Sequence, residues 1–243
     1  DLGTGKTQLI KSLIYRMVSH PELNRGRIPN LLIFDYKNDY TNHDFVSRTN
    51  AKVVDPSDLP LNLFDLRDSD SDQAHQNRLQ KVGFFRDALD KIYSNIGPKQ
   101  RELIKIAVME AYDQAEVAGR QFPLLSDVLR AYKIASNDKT DSVTSVLSDL
   151  VDHQLFTDDQ QQIVPFKDFL NGVVVINLKP IGQDDSLKAM LVTIFLNLFY
   201  DHMQKIEKQD FIGNNPSLRF VDSILLVDEA DNIMKHEFAV LRN

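Results

Sequence analysis

Two short stretches at opposite ends of the chain carry residue types suited to phosphate chemistry. Near the start, Gly3-Thr4-Gly5-Lys6-Thr7 matches the end of the pattern G-x-x-x-x-G-K-[ST], whose first Gly would fall just before Asp1. Glycines there let the backbone curl until its N–H groups surround a phosphate. Lys6 would reach the β and γ phosphates, and the Thr7 hydroxyl would ligate Mg²⁺. The following helix would point its positive end at the anion, with Gln8 on its first turn. Near the end, Ile224-Leu225-Leu226-Val227-Asp228-Glu229 is an apolar run closed by two acids. There Asp228 would hold the metal, and Glu229 would polarise the attacking water as general base. Taken singly, the first stretch is also a glycine-rich turn. The second is also a strand end before a helix N-terminus, where acids suit the dipole. Taken together, each supplies chemistry the other lacks, and the ligands they specify are ATP and Mg²⁺. The expected nucleotide-binding residues are Gly3, Thr4, Gly5, Lys6, Thr7 and Gln8. Lys6 and Glu229 would be catalytic, and Thr7 and Asp228 would be the metal ligands.

These residues need elements to position them. From Gln8 to Ser19 the apolar residues Leu9, Leu13 and Met17, and Ile10, Ile14 and Val18, recur at helical spacing until His20-Pro21. Short apolar runs read as buried strands: Leu31 to Asp35, Val53-Val54, Gly172 to Leu178, and Ser223 to Asp228. After the polar Asp68–Asp72 the pattern turns helical, with helices near 73–94, 98–118, 124–136 and 140–153. Ser126-Asp127 and Ser142 sit where caps belong. The stripe Leu103, Ile106, Ala107, Glu110 and Ala111 reads as core packing. A long apolar helix is expected from Asp185 to Lys208 and another from Glu229 to Leu241. Strands of continuous apolar residues alternating with helices predict a parallel sheet covered on both faces. The predicted fold is α/β: a RecA-like P-loop NTPase with a mostly parallel sheet and an all-α insertion. Residues 1–68 would form the first part of the core, 69–165 the insertion and 166–243 the second part. Because the chain opens inside its first motif, the expectation is an incomplete slice of a larger domain.

Composition narrows the function classes. The chain has 243 residues, no Cys and a net charge of −7. Thiolate zinc sites, disulfide scaffolds and Cys nucleophiles are excluded. None of the six His residues pairs at metal-ligand spacing. The longest apolar stretch, Leu191 to Tyr200, is too short to span a bilayer, and no signal peptide is visible, so the default is a cytoplasmic protein. An acidic total argues against nucleic-acid binding over the whole surface but leaves local binding open, since a ring of subunits can line a channel with a few Lys and Arg each.

Spacing and further segments point to one P-loop class. Thr7 and Asp228 are separated by almost the whole chain, far more than in a compact AAA-type module. No N-K-x-D or L-S-G-G-Q is present, which counts against GTPases and ABC-type ATPases. Phe34-Asp35-Tyr36-Lys37-Asn38-Asp39-Tyr40 resembles the D-x-K/H-G-[DE]-Y segment of the HerA/FtsK superfamily, with Asn38 in place of Gly. Leu61-Asn62-Leu63-Phe64 resembles that family's N-P-[LF] segment, with Leu63 in place of Pro, and Val173 to Leu178 resembles its v-v-v-i-n-L strand. The order matches along nearly the whole chain. Within that superfamily the chain resembles the HerA-like ATPases of DNA restriction and defence, including those of phosphorothioation-dependent restriction. The resemblance implies a hexameric ring that couples ATP hydrolysis to movement on double-stranded DNA, with nuclease or restriction subunits as partners. It places Asp35 beside the phosphate site; the residue alone reads equally as a strand-capping carboxylate. Lys37 and Asp39 read as an exposed pair of little consequence, and Asn62 as a turn-former. The family's trans-acting Arg and its sensor strand are not assignable here. Two alternatives use the same motifs: a type IV secretion or conjugation ATPase, and an ATP-binding switch that recruits a nuclease with little turnover.

Overall fold

A computed structural model describes residues 5–67, 71–92, 96–215 and 217–230. The elements up to the helical segment are α1 (Lys6–Ser19), β1 (Asn30–Asp35), α2 (His43–Thr49) and β2 (Lys52–Val54). Then come α3 (Ala74–Ile92), α4 (Pro98–Val117), α5 (Leu125–Ala135), α6 (Ser142–Asp152) and the single turn α7 (Phe166–Phe169). The chain continues through β3 (Val173–Asn177), α8 (Asp185–Lys205) and β4 (Ser223–Val227). It divides into two compact units, one of residues 5–56, 167–182 and 201–230 and the other of residues 57–166 and 183–200. Among the described residues, no helix is long and apolar enough to cross a membrane.

Among the described residues, the first unit is built on a four-stranded, all-parallel sheet in the order β2-β3-β1-β4. Central strand β1 is Asn-Leu-Leu-Ile-Phe-Asp, and its last five residues are buried. An apolar run with no alternation is what a strand needs when both its faces leave water. One face of the sheet forms a core of Leu31, Ile33, Val173 and Val175 with Ile14 of α1 and Tyr40, Phe45 and Ala51. Ile224 and Leu226 of edge strand β4 pack against that core while staying half-exposed. On α1 the buried face is not the full apolar stripe: Leu9 and Leu13 are exposed, whereas Lys11 is buried with its ammonium 5.5 Å from the centre of the Tyr40 ring. A lysine tolerates this position because its stem packs while its charge meets the ring face.

The second unit is helical and aromatic at its centre. Phe64 packs edge-on against Phe85 and Tyr112, at 5.1 and 6.4 Å between ring centres. The Tyr112 hydroxyl donates to the Phe64 carbonyl at 2.6 Å. Asn62 is a turn-former here: its Oδ1 accepts the Phe64 N–H at 2.7 Å and its Nδ2 donates to the Pro123 carbonyl at 2.9 Å. On α4 the buried stripe runs through Ile104, Ala107, Val108, Ala111, Tyr112 and Ala115, while Ile106 and Glu110 face solvent. The expected stripe is therefore rotated on the helix. The caps also differ from expectation. Asp141, not Ser142, caps α6, accepting the Thr144 N–H at 2.9 Å. Asp127 is the third residue of α5 and accepts the Leu124 N–H at 2.9 Å. Carboxylates take these positions because a charged acceptor binds an orphan N–H more strongly than a hydroxyl does. The long helix ends at Lys205, and the expected helix to Leu241 lies beyond the described residues after Ala230.

Candidate functional site

The site lies at the C-terminal edge of the sheet. In the β1/β4 register Phe34 faces Val227, and the Asp228 N–H donates to the Phe34 carbonyl at 3.1 Å. Asp35 and Asp228 therefore leave the sheet from neighbouring strands.

Asp35 has no exposed surface. Its Oδ1 accepts the N–H groups of Lys37 at 3.1 Å and Asp39 at 3.0 Å, and its Oδ2 accepts that of Tyr40 at 2.7 Å. The carboxylate thus wraps the following loop around itself, as in the strand-capping alternative. Within that loop Asn38 has φ +62°, the left-handed region. Asn is among the few non-glycine residues that enter it at modest cost, because its short polar side chain bonds locally. The conformation that Gly would adopt is therefore kept.

The capped turn sends Lys37 toward β4, and the expected Lys37–Asp39 pair is not what forms. The Lys37 ammonium instead donates to Glu229 Oε1. Glu229 itself sits at φ +53°, a backbone state that is uncommon for a long side chain. The bond from Lys37 holds the Glu229 carboxyl below its usual range, against burial, and the charge of Lys6 adds to the effect. The same bond raises Lys37. Lys6 and Glu229, from opposite ends of the sequence, thus fall within electrostatic reach of each other.

Asp228 shows the opposite shift. Burial raises its proton affinity, and the charges of Glu229, Asp39 and Asp35 raise it further. Its Oδ2 is buried without a hydrogen-bond partner, as are Asn38 Oδ1 and the Tyr40 hydroxyl. Tyr40 is raised as well, by burial first and then by Asp228, Asp39 and Asp35. A cation at Asp228 Oδ2 would satisfy an orphaned oxygen and relieve the crowding of negative charge. An orphaned carboxylate oxygen is a hard donor of the kind that suits Mg²⁺, and Thr7 would add a hydroxyl oxygen of the same kind.

On the other side of the site, Gly5 precedes α1 at φ +74°, a left-handed turn that suits glycine. The first turn of α1 has no side-chain cap and no acid. Its N–H groups have no partner within the helix and carry the positive end of the helix dipole, so an anion suits them. Lys6 and Gln8 are exposed there and Thr7 is half-buried. Gly3 and Thr4 lie outside the described residues. Asp228 Oδ2 accepts no hydrogen bond from Thr7 or from any other described residue.

Reading the sequence alone missed the Lys37–Glu229 bond and the orphaned atoms on Asn38 and Tyr40. The segment Phe34 to Tyr40 is legible in the sequence, but the bond from its Lys37 to Glu229 depends on β1 and β4 being neighbours, for which the sequence holds no signal. Helix α2 was also missed. Asn42, which accepts the Phe45 N–H at 3.0 Å, Asp44 in the first turn and the left-handed Asn50 are the signals that would have found it.

A family model described as "Helicase HerA, central domain" matches residues 3–199, from the first motif through β3 and into α8. No curated protein matches the chain. Among solved structures the chain is similar to the structure of VirB4 of Thermoanaerobacter pseudethanolicus, with 14% identity and a TM-score of 0.62. That likeness, one of fold, covers 96% of this chain and 60% of the other, so this chain spans less than two thirds of that structure's length.

Proposed function

The chain belongs to the HerA central-domain family of P-loop ATPases, and from that premise we propose that it hydrolyses ATP with Mg²⁺ to drive movement on double-stranded DNA. The observation that supports this most is the meeting of Lys6, Asp228 and Glu229 beside the uncapped N-terminus of α1. The α1 N–H groups and Lys6 bind the β and γ phosphates and neutralise charge as it builds on them. Thr7 and Asp228 would hold Mg²⁺, which when bound neutralises phosphate oxygens. Glu229 orients a water in line with the γ-phosphate and accepts its proton. Asp35 keeps its oxygens on the loop amides and acts by holding Lys37, Asp39 and Tyr40 in place. In this reading the chain works as one subunit of a ring, a hexamer by family resemblance, inside a restriction or processing complex with nuclease partners.

The test is nucleotide binding and turnover in the full-length protein. Lys6→Ala should abolish binding or hydrolysis, and Glu229→Gln should keep binding and trap ATP. Undiminished hydrolysis by both variants would overturn the assignment. The fold likeness to VirB4 favours a second reading, a type IV secretion or conjugation ATPase with the same site. Stimulation of turnover by duplex DNA supports the first reading; its absence with turnover intact supports the second.

A further inference from the structure

We propose that the cavity at the amino-terminal edge of the parallel sheet is a contact for duplex DNA, in which Arg27 holds a backbone phosphate. The choice of duplex rests on reading the chain as a DNA motor; the site itself rests on geometry. The cavity measures about 350 Å³, and all its lining residues belong to the first unit. Asn30 opens β1, and Asn171 and Asp222 lie just before β3 and β4. These strands run parallel, so the cavity sits a strand's length, about 16 Å, from Asp35 and Asp228 at the other edge. It is therefore separate from the candidate nucleotide site.

The walls are braced to one another across the sequence. The Asn24 side chain donates to the Val221 carbonyl and accepts the Val221 N–H, both at 2.8 Å. The same amide donates to the Arg27 carbonyl at 3.1 Å. Asn30 donates its N–H to the Asp222 carbonyl at 2.9 Å, and its Oδ1 accepts the Gly172 N–H at 3.0 Å. Arg25 is taken up by Asp210 and lies 5.1 Å from the centre of the Phe220 ring. Asp222 accepts the Ser223 hydroxyl at 2.7 Å and the Gln209 amide at 3.4 Å. Arg27 is the exception. It is exposed on a backbone that Asn24 fixes, and among the described residues its guanidinium has no hydrogen bond and no ion pair.

The lining decides what Arg27 can meet. Seven of the ten lining residues are polar, whereas small-molecule sites and protein interfaces are lined mainly by apolar groups. Interfaces with nucleic acid are more polar and more positive. Two arginines face one carboxylate in the lining, and that carboxylate is already bonded, although the whole chain carries −7. A guanidinium offers a planar fork of N–H groups that matches two oxygens of one phosphate. Asn and Gln amides are the other common partners of the nucleic-acid backbone, and such contacts fix position without reading sequence.

The experiment uses the full-length protein and a short fluorescent DNA duplex, with binding followed by anisotropy over a series of salt concentrations. Arg27→Ala should weaken binding about fivefold, the worth of one exposed charge contact. The loss should be alike for unrelated sequences, and the slope of log affinity against log salt should fall by about 1. Arg27→Lys should stay within about twofold of the wild type, because a cation still meets the phosphate. AMP, a free source of the same phosphate chemistry, should leave duplex binding unchanged. Competition by AMP that disappears in Arg27→Ala would overturn the duplex and make the cavity a site for free nucleotide. Wild-type affinity and salt slope in Arg27→Ala would overturn this contact alone and leave the cavity to a protein partner. A loss in Arg27→Lys as large as in Arg27→Ala would overturn it as well, since charge would not be the cause. A wild type that binds no duplex overturns the DNA-motor reading and the contact with it.

Discussion

Replacing Asp35 by Asn separates a structural carboxylate from a nucleotide contact. In the folded chain the Asp35 oxygens accept three backbone N–H groups, at 3.1, 3.0 and 2.7 Å, in a position with no exposed surface. An Asn side chain keeps one oxygen, enough for Lys37 and Asp39, and turns an NH₂ donor toward the Tyr40 N–H. The bond lost is the shortest of the three, and it is charge-assisted, worth about 1.5–3 kcal/mol. The Tyr40 N–H, left facing a donor, adds a desolvation cost of about 1–3 kcal/mol. Both figures count the same N–H and overlap, so the net cost is about 3 kcal/mol, a large share of the roughly 5–15 kcal/mol that holds a domain folded. For a chain of this size that corresponds to a fall in Tm of about 6–12 °C. The assay is thermal unfolding of Asp35→Asn against the native protein, without nucleotide, followed by titration with ATP analogue. The expected result is a lower Tm already present without ligand. A wild-type Tm together with a tenfold loss of nucleotide affinity would refute the reasoning and make Asp35 a phosphate-side contact instead.

Asn38→Gly should be neutral or stabilising by a few tenths of a kcal/mol, because φ +62° costs glycine nothing, while Asn38→Val should lose about 1–2 kcal/mol in denaturant unfolding. Tyr112→Phe should cost about 1–3 kcal/mol by the same measurement, since the Phe64 carbonyl it binds at 2.6 Å would be left buried and unpaired. Asp127 gives an acid-side signature. Burial pushes its carboxyl up, but the bonds from Arg120 and the Leu124 N–H and the charges of Arg120 and Arg130 hold it below the usual range. A lowered carboxyl adds stability above its unfolded value of about 3.9 and loses it as pH falls through the folded value. Stability of the native protein should therefore decline with acid below about pH 4, and Asp127→Asn should show a smaller decline there from a lower starting value.

Much of the first unit is readable from residues alone. Leu31 to Phe34, Val173 to Ile176 and Ile224 to Val227 are continuous apolar runs, because strands of a parallel sheet lose water on both faces. Gly5 and Lys6 are readable because a phosphate loop needs one conformation and one charge at one spacing. Harder to read are features that depend on which face a helix turns inward. Leu9 and Leu13 look like core and are exposed, Lys11 looks exposed and is buried, and the stripe on α4 runs through Ile104 rather than Ile106. A periodic pattern tells that a helix has an apolar face but leaves its rotation to packing.

By itself, then, the sequence determined the elements and the chemistry of each motif, since both are local: backbone preference, burial pattern and the reach of single side chains. The strand order β2-β3-β1-β4 was decided only in three dimensions. That order sets β1 beside β4, and from it follow the placing of Asp35 next to Asp228 and the bond from Lys37 to Glu229. An ion pair between residues 192 positions apart leaves no pattern in a chain, because it exists only after two strands have been packed side by side.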